Sequence, residues 1–179
     1  MFILASSSPR RKQLLTKVIK EFSIVVPDVD ERLLNLPASD LAAEESKMKA
    51  YAVYASHPND EILACDTIVV LDGEVLGKPT DEEDAVRMLK MQSGKKQVVL
   101  SGYTYIGKGM EITRTVATEV YFNVLSEELI RDYVAKKKPL DKAGAYGIQD
   151  GYPLVERIVG SYDNVMGLPT EDLLKHLPL

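Results

Sequence analysis

Phe2-Ile3-Leu4-Ala5-Ser6-Ser7-Ser8-Pro9-Arg10-Arg11-Lys12-Gln13-Leu14-Leu15 sets the order of elements at the start of the chain. A short apolar run stops at a serine cluster, and Leu14, Leu15, Val18 and Ile19 then recur at helical spacing, so the segment reads strand, turn, helix. Ser8 is a good N-cap. Pro9 suits the first helical position, because its fixed φ fits and its missing N–H would have no partner there. Working outward, Phe22 to Val26 reads as a second strand, followed by the acids Asp28, Asp30 and Glu31, and a long helix is expected from about Ser39 to Ser56. Glu61 to Leu76 reads as a buried strand with a hairpin turn at Asp72-Gly73. Thr80-Asp81-Glu82-Glu83 is a capping box opening a helix to about Gln92. Val98 to Ile106 and Ile112 to Val124 read as long antiparallel strands joined at Gly107-Lys108-Gly109. A helix starting at Ser126, a Gly-rich segment from Ala143 to Gln149, a strand from Leu154 to Val159 and a helix from Thr170 to Leu177 complete the chain. The expected architecture is an α/β (α+β) domain on a mixed twisted sheet, with residues 1–179 forming one unit.

The composition narrows the functional classes. The 179 residues are 45% hydrophobic, enough for a sizeable core, and carry 22 Lys+Arg against 27 Asp+Glu, a net charge of −5. That balance argues against nucleic-acid polymers, which call for a basic face. No apolar run approaches the length of a membrane helix and no signal peptide is evident, so a cytoplasmic location is expected. Cys65 is the single cysteine, which excludes a disulfide framework and a thiolate zinc cluster. The net charge hides an asymmetry: residues 1–20 hold Arg10, Arg11, Lys12, Lys17 and Lys20 with no acid, leaving −10 on the rest.

Two features carry chemistry. Cationic side chains directly after a serine-rich helix start make an anion site, with phosphate the obvious guest, although a solvated helix start would have the same residues. Asp66 lies between the apolar runs Ile62-Leu63-Ala64-Cys65 and Ile68-Val69-Val70-Leu71, where a carboxylate is costly unless it is paired, hydrogen-bonded or metal-bound. A hydrogen-bonded turn within the strand is the competing explanation. Glu31 could supply a second carboxylate to a shared divalent cation. Gly73 to Lys78 is one residue short of a P-loop and has Pro79 where the hydroxyl belongs. His57 and His176 stand alone, so an enzyme here would rest on carboxylates, lysines and a metal.

Ala5-Ser6-Ser7-Ser8-Pro9-Arg10-Arg11, Asp66-Thr67-Ile68-Val69, Gly77-Lys78-Pro79, Asp141-Lys142-Ala143-Gly144-Ala145-Tyr146-Gly147-Ile148-Gln149 and Ser161-Tyr162 with Val165-Met166-Gly167-Leu168-Pro169 occur in the order of a known family. The chain resembles the Maf family over essentially its whole length. That resemblance implies a nucleoside triphosphate pyrophosphatase with two lobes around a cleft, similar to the inosine triphosphate pyrophosphatases. It implies Ser6, Arg10 and Arg11 on the triphosphate, Glu31, Lys49 and Lys78 along the cleft, Gln149 at the base or a water, and Asp66 as proton acceptor. The run Ala143 to Gln149 resembles the subgroup that hydrolyses dTTP and UTP, with Arg10, Thr67 and Gln149 at the positions associated with that choice. Cys65, Met48 and Asp150 depart from the usual family residues. Asp150 is expected to add negative charge near the substrate, and Lys47 competes with Lys49 for its role.

The expected reaction is attack of water on the α-phosphorus, with Asp66 as base or, together with Glu31, as ligand to Mg²⁺ or Mn²⁺. The expected partner is a small nucleoside triphosphate, with no nucleic-acid polymer and no membrane; the long strands from Val98 to Val124 could also present a homodimer surface. The alternative reading is a regulatory binding protein that inhibits septum formation and cell division independently of catalysis. Because Cys65 adjoins Asp66, its oxidation is expected to silence an enzyme of this kind.

Overall fold

In the computed structural model, residues 1–30 and 34–179 are described here. In chain order the elements are β1 (Phe2–Ala5), α1 (Pro9–Leu15), β2 (Ser23–Ile24), α2 (Ala38–Tyr54), β3 (Glu61–Leu71), β4 (Glu74–Leu76), α3 (Glu82–Gln92), β5 (Lys96–Gly107), β6 (Met110–Phe122) and α4 (Glu127–Lys137). Two single-turn 3₁₀ segments, Ala143–Ala145 and Ile148–Asp150, then lead to β7 (Val155–Val159), α5 (Tyr162–Met166) and α6 (Thr170–His176). The strands form one seven-stranded mixed sheet in the order β2-β1-β3-β5-β6-β7, with β4 also pairing β3. β1 runs parallel to both β2 and β3, and the other pairings are antiparallel. The expected mixed α/β architecture is the one observed.

β3 organises the molecule. Its whole length from Ile62 to Val70 pairs with β5 along one edge. Along the other edge, β1 pairs only as far as Ala5 with Ala64, and β4 begins only at Val69 with Leu76. Between those pairings the sheet is split, and Asp66 lies at the split. The chain leaves β1 into the serines at one side of this gap and leaves β4 into Gly77-Lys78 at the other, so both loops open toward Asp66. A crevice at the end of a parallel strand where neighbours diverge is a favoured ligand position in sheets of this kind.

Alternation along β3 assigns its side chains to opposite faces. Leu63 and Cys65 pack with Leu14, Leu15, Leu168 and Leu173 from α1 and the C-terminal segment. Ile62 and Ala64 pack with Ala50 and Val53 of α2. Beyond the split, Val69 and Leu71 join a third core with α3, α4 and Tyr146. The cores on the two sides of the split form the two halves that flank the cleft.

Local details differ from the sequence reading where tertiary contacts decide. β2 is only two residues long, because the chain pairs briefly with β1 and turns away after Val25 N–H donates to Leu4 O at 3.1 Å. The closing segment contains a short helix, α5, that hydrophobic periodicity does not reveal, with Ser161 as its N-cap accepting from Asn164 N–H. Among the described residues, no helix is long and apolar enough to cross a membrane.

Candidate active site

The split in the sheet opens into a cleft of about 620 Å³, within the range of small-molecule sites. Its floor is Asp66, only 7% exposed. Alternation turns this side chain toward α2, opposite Cys65. The helix can come close because β5 carries Gly102 directly opposite Asp66 in register. A Cβ at residue 102 would lie 2.3 Å from the backbone of Ala42 and Ala43, so any larger residue would push α2 away. The inner face of α2 repeats at three- and four-residue spacing through Ala42, Glu45, Ser46, Lys49, Ala50 and Val53. Ser46 Oγ is fixed against Thr104 Oγ1 at 2.8 Å. One turn on, Lys49 Nζ donates to Asp66 Oδ1 at 2.9 Å, with both side chains close to nine-tenths buried.

Glu45 lies one turn before Lys49, is 8% exposed, and brings its carboxyl within hydrogen-bonding reach of Asp66. Burial pushes the Asp66 carboxyl up. The contact with Glu45 and the charges of Lys49 and Arg11 outweigh that effect and hold it below its ordinary value. Asp66 Oδ2 nevertheless has no hydrogen-bond partner among the described residues.

The N-terminal wall is built as the sequence suggests. Ser6 Oγ accepts from Ser8 N–H at 3.1 Å, and Ser8 Oγ accepts from Arg11 N–H at 3.3 Å as the cap of α1. Because α1 has only seven residues, its cationic side chains rather than a long helix dipole dominate the local charge. Arg11 is fixed from the far end of the chain: its Nε donates to Gly167 O at 2.8 Å and its Nη2 to Thr67 Oγ1 at 3.1 Å. Thr67 Oγ1 also meets Ser101 Oγ at 2.8 Å. Thus Thr67 lines the cleft while its hydroxyl orients Arg11. Buried Asn164 anchors the closing segment by donating to Val116 O at 3.2 Å and Thr118 Oγ1 at 3.0 Å. Gly167 O and Asn164 are structural parts of the site that the sequence reading did not identify.

The opposite wall is more open. Arg10 and Asp141 meet across the mouth at 3.4 Å, and Lys78 lines the cleft with no ion pair among the described residues. Gly144 N–H donates to Gly77 O at 3.1 Å, which ties the turn before Lys78 to the Gly-rich segment. Gln149 lines the cleft and is exposed. The turn behind it is clasped by Tyr133, whose hydroxyl accepts from Gly147 N–H at 2.8 Å and donates to Asp150 Oδ2 at 2.7 Å.

Ser6, Arg10, Arg11, Lys49, Asp66, Thr67, Lys78 and Gln149 therefore all line one cleft. Glu31 lies outside the described residues. Lys47 pairs with Glu44 at 3.3 Å, away from Asp66, so Lys49 is the lysine at the floor. Asp150 is not a cleft-lining charge, since its carboxylate is held by Tyr133. Cys65 is fully buried on the opposite face from Asp66, and burial raises its thiol pKa, which removes the features of an oxidation-sensitive cysteine. Among the described residues, no group of three or more His, Cys, Asp or Glu side chains is placed to hold a metal.

An ionised carboxylate beneath a cleft lined by Arg10, Arg11, Lys49 and Lys78 belongs to the class of sites that take a polyanionic small molecule. The family described as Maf-like protein matches residues 1–178, and the chain belongs to that family. Its relatives include the dTTP/UTP pyrophosphatase of Thermococcus gammatolerans, 45% identical over 98% of this chain and 94% of that protein. The dTTP/UTP pyrophosphatase of Pyrococcus abyssi is 45% identical over 100% of this chain and 96% of that protein. That of Bacteroides thetaiotaomicron is 46% identical over 98% and 93%. A solved structure, that of the Staphylococcus aureus Ham1 protein, overlaps 86% of this chain and 79% of its own at a TM-score of 0.49 and 16% identity.

Proposed function

We propose that the chain hydrolyses UTP and dTTP to the nucleoside monophosphate and pyrophosphate, with the triphosphate in the cation-lined cleft. The observation that carries this reading is the placement of Asp66, buried, held ionised and facing the cleft through the split between β1 and β4. The names of the relatives, dTTP/UTP pyrophosphatase, support the substrate class.

Asp66 accepts a proton from a water that attacks the α-phosphorus. The new bond joins the water oxygen to that phosphorus, and the bond to the bridging oxygen of the pyrophosphate breaks. A carboxylate with a lowered pKa is a weak base, but the arriving polyanion raises its proton affinity, and the proton then passes to solvent. Arg10, Arg11, Lys49 and Lys78 stabilise the charge that grows on the leaving pyrophosphate. Arg11 is preorganised by Gly167 and Thr67, so little reorganisation opposes that stabilisation. At the rim, the Gln149 carboxamide both donates and accepts, which matches the O and N–H edge shared by uracil and thymine but not by cytosine.

A divalent cation fits the floor, because Asp66 Oδ2 is a buried oxygen without a partner among the described residues and oxygen donors suit Mg²⁺ or Mn²⁺. Asp66 would hold it, with Glu31 as the expected companion, and when bound it supplies Lewis-acid neutralisation of phosphate charge. A cytoplasmic location and a homodimer belong to the same proposal. The test is a panel of UTP, dTTP, CTP, ATP and GTP with Mg²⁺ or Mn²⁺, reading pyrophosphate. Turnover of UTP and dTTP well above CTP is expected; equal rates across the panel overturn the base preference, and no pyrophosphate from any nucleotide overturns the reaction.

A further inference from the structure

We propose that Gln92 is a positioning residue for nucleotide recognition: from behind the cleft wall it holds the Gly144 peptide, and through that peptide it sets both the Lys78 loop and the turn that carries Gln149. The role rests on the nucleotide reading above. In the sequence Gln92 is only the last residue of a helix, where a polar side chain ordinarily meets solvent. In the structure it closes α3 fully buried and does not line the cleft.

Its polar contacts are all made inside the protein. Nε2 donates to Gly144 O at 2.6 Å and to Met88 O at 3.1 Å, and Oε1 accepts from Gln97 Nε2 at 2.7 Å. Both partners of Nε2 are carbonyls, which can only accept, so they fix which way the amide points. Gln97 lies on β5 and is also buried, so helix and sheet together anchor the donor. The peptide that receives it is a junction. Gly144 N–H donates to Gly77 O, directly before Lys78, while Gln149 enters the cleft from the same Gly-rich segment. Gly144 and Ala145 have φ of +71° and +61°, and Ala145, having a Cβ, takes that left-handed backbone at a cost the surroundings must offset. Space is fixed there as well: a Cβ on residue 144 would lie 3.2 Å from Val69 Cγ2 and 3.4 Å from Gln92 Oε1. Without Gln92 the buried Gly144 carbonyl loses its donor, which is costly at this depth. Loss of that donor frees the Lys78 loop and Gln149 together, weakening binding and base selection while Asp66 and the chemical step stay in place.

The experiment compares the full-length wild type with Gln92→Met, which keeps the length but has no donor, and with the double variant Gln92→Met, Gln97→Met, which also removes the Gln97 amide left unpaired. Steady-state kinetics with UTP and CTP, Tm, and amide hydrogen exchange of the ligand-free proteins are read in parallel. Gln92→Met is expected to raise KM for UTP by about tenfold, to narrow the preference for UTP over CTP several-fold and to keep kcat within a few-fold of wild type. Exchange should quicken across residues 143–149 and stay unchanged across 62–66. The double variant should regain Tm, because both buried amides are then gone, without regaining KM or base preference. Wild-type KM and preference in the double variant overturn the proposal, since a purely structural residue would be restored along with Tm. Absence of pyrophosphate from every nucleotide with the wild type removes the nucleotide reading instead. Faster exchange across 143–149 in Gln92→Met then still supports Gln92 as the holder of the segment, and unchanged exchange overturns it.

Discussion

The floor and the rim of the cleft are built on different physics. At the floor, Asp66 and Glu45 are buried and Lys49 nearly so, brought together by the close approach of α2 over Gly102, with Lys49 and Asp66 joined by a short ion pair. At the rim, Lys78 and Gln149 are exposed, and among the described residues Arg10 has only a long contact to Asp141. A buried charge gains strength from low dielectric but becomes part of folding stability. An exposed one contributes little to stability and remains available to a ligand. The difference assigns chemistry to the floor, where geometry is preorganised, and selection of the nucleotide to the rim.

The largest expected effect is at the floor. Asp66→Asn removes the proton acceptor and should lower the rate of pyrophosphate release by about 10³-fold, within the usual span of general-base contributions, while the protein still melts cooperatively. A rate within a few-fold of wild type would break the division at once.

Lys49→Met tests whether floor residues also carry stability. It strands the Asp66 carboxylate, and a loss of roughly 3 kcal/mol is expected in denaturant unfolding, in line with broken buried pairs. The pH dependence has a defined sign. Since the folded pKa of Asp66 is depressed, its contribution is complete above the reference value of 3.8 and is lost as pH falls through the lower folded value. Wild-type stability should therefore show no Asp66 titration above that value. In Lys49→Met, burial acts with less opposition, and the acid limb of stability and activity should move upward. A limb that stays in place contradicts the proposed coupling.

Rim variants should behave in the opposite way. Lys78→Gln is expected to raise KM for UTP by about tenfold, equivalent to about 1.4 kcal/mol, with Tm unchanged. Gln149→Ala should narrow the preference for UTP over CTP by several-fold, again without moving Tm. The smallest effect belongs to the support behind the rim. Tyr133→Phe removes the hydroxyl that joins Gly147 to Asp150 and should cost about 1 kcal/mol of stability, with a modest loss of base preference. A Tm drop in the Lys78 or Gln149 variants comparable to that of Lys49→Met would erase the distinction between floor and rim.

Much of the fold is legible locally. The run from Phe2 to Leu15 folds as strand, cap and helix because each step is encoded by neighbours: apolar residues, Ser8, then Pro9. Asp66 also stands out from sequence, because its flanks are too apolar to leave it unpaired. What is not legible depends on register across the sheet. The gap between the pairings of β1 and β4 exists only once both strands find β3. Glu45 carries one local signal, its position one turn before Lys49, yet only the packing of α2 against Gly102 turns that face toward Asp66. The carbonyl of Gly167, which fixes Arg11 from more than 150 positions away, has no side chain to announce it. Asp150 illustrates the reverse error: a charge beside Gln149 in sequence turns away to meet Tyr133.

Where water enters the substrate separates attack at the α-phosphorus from attack elsewhere. Hydrolysis of UTP by the wild-type protein in H₂¹⁸O, with products read by mass spectrometry, is expected to place the label in UMP and leave pyrophosphate unlabelled. Label in pyrophosphate, or UDP with labelled orthophosphate, would contradict attack at the α-phosphorus from the floor of the cleft.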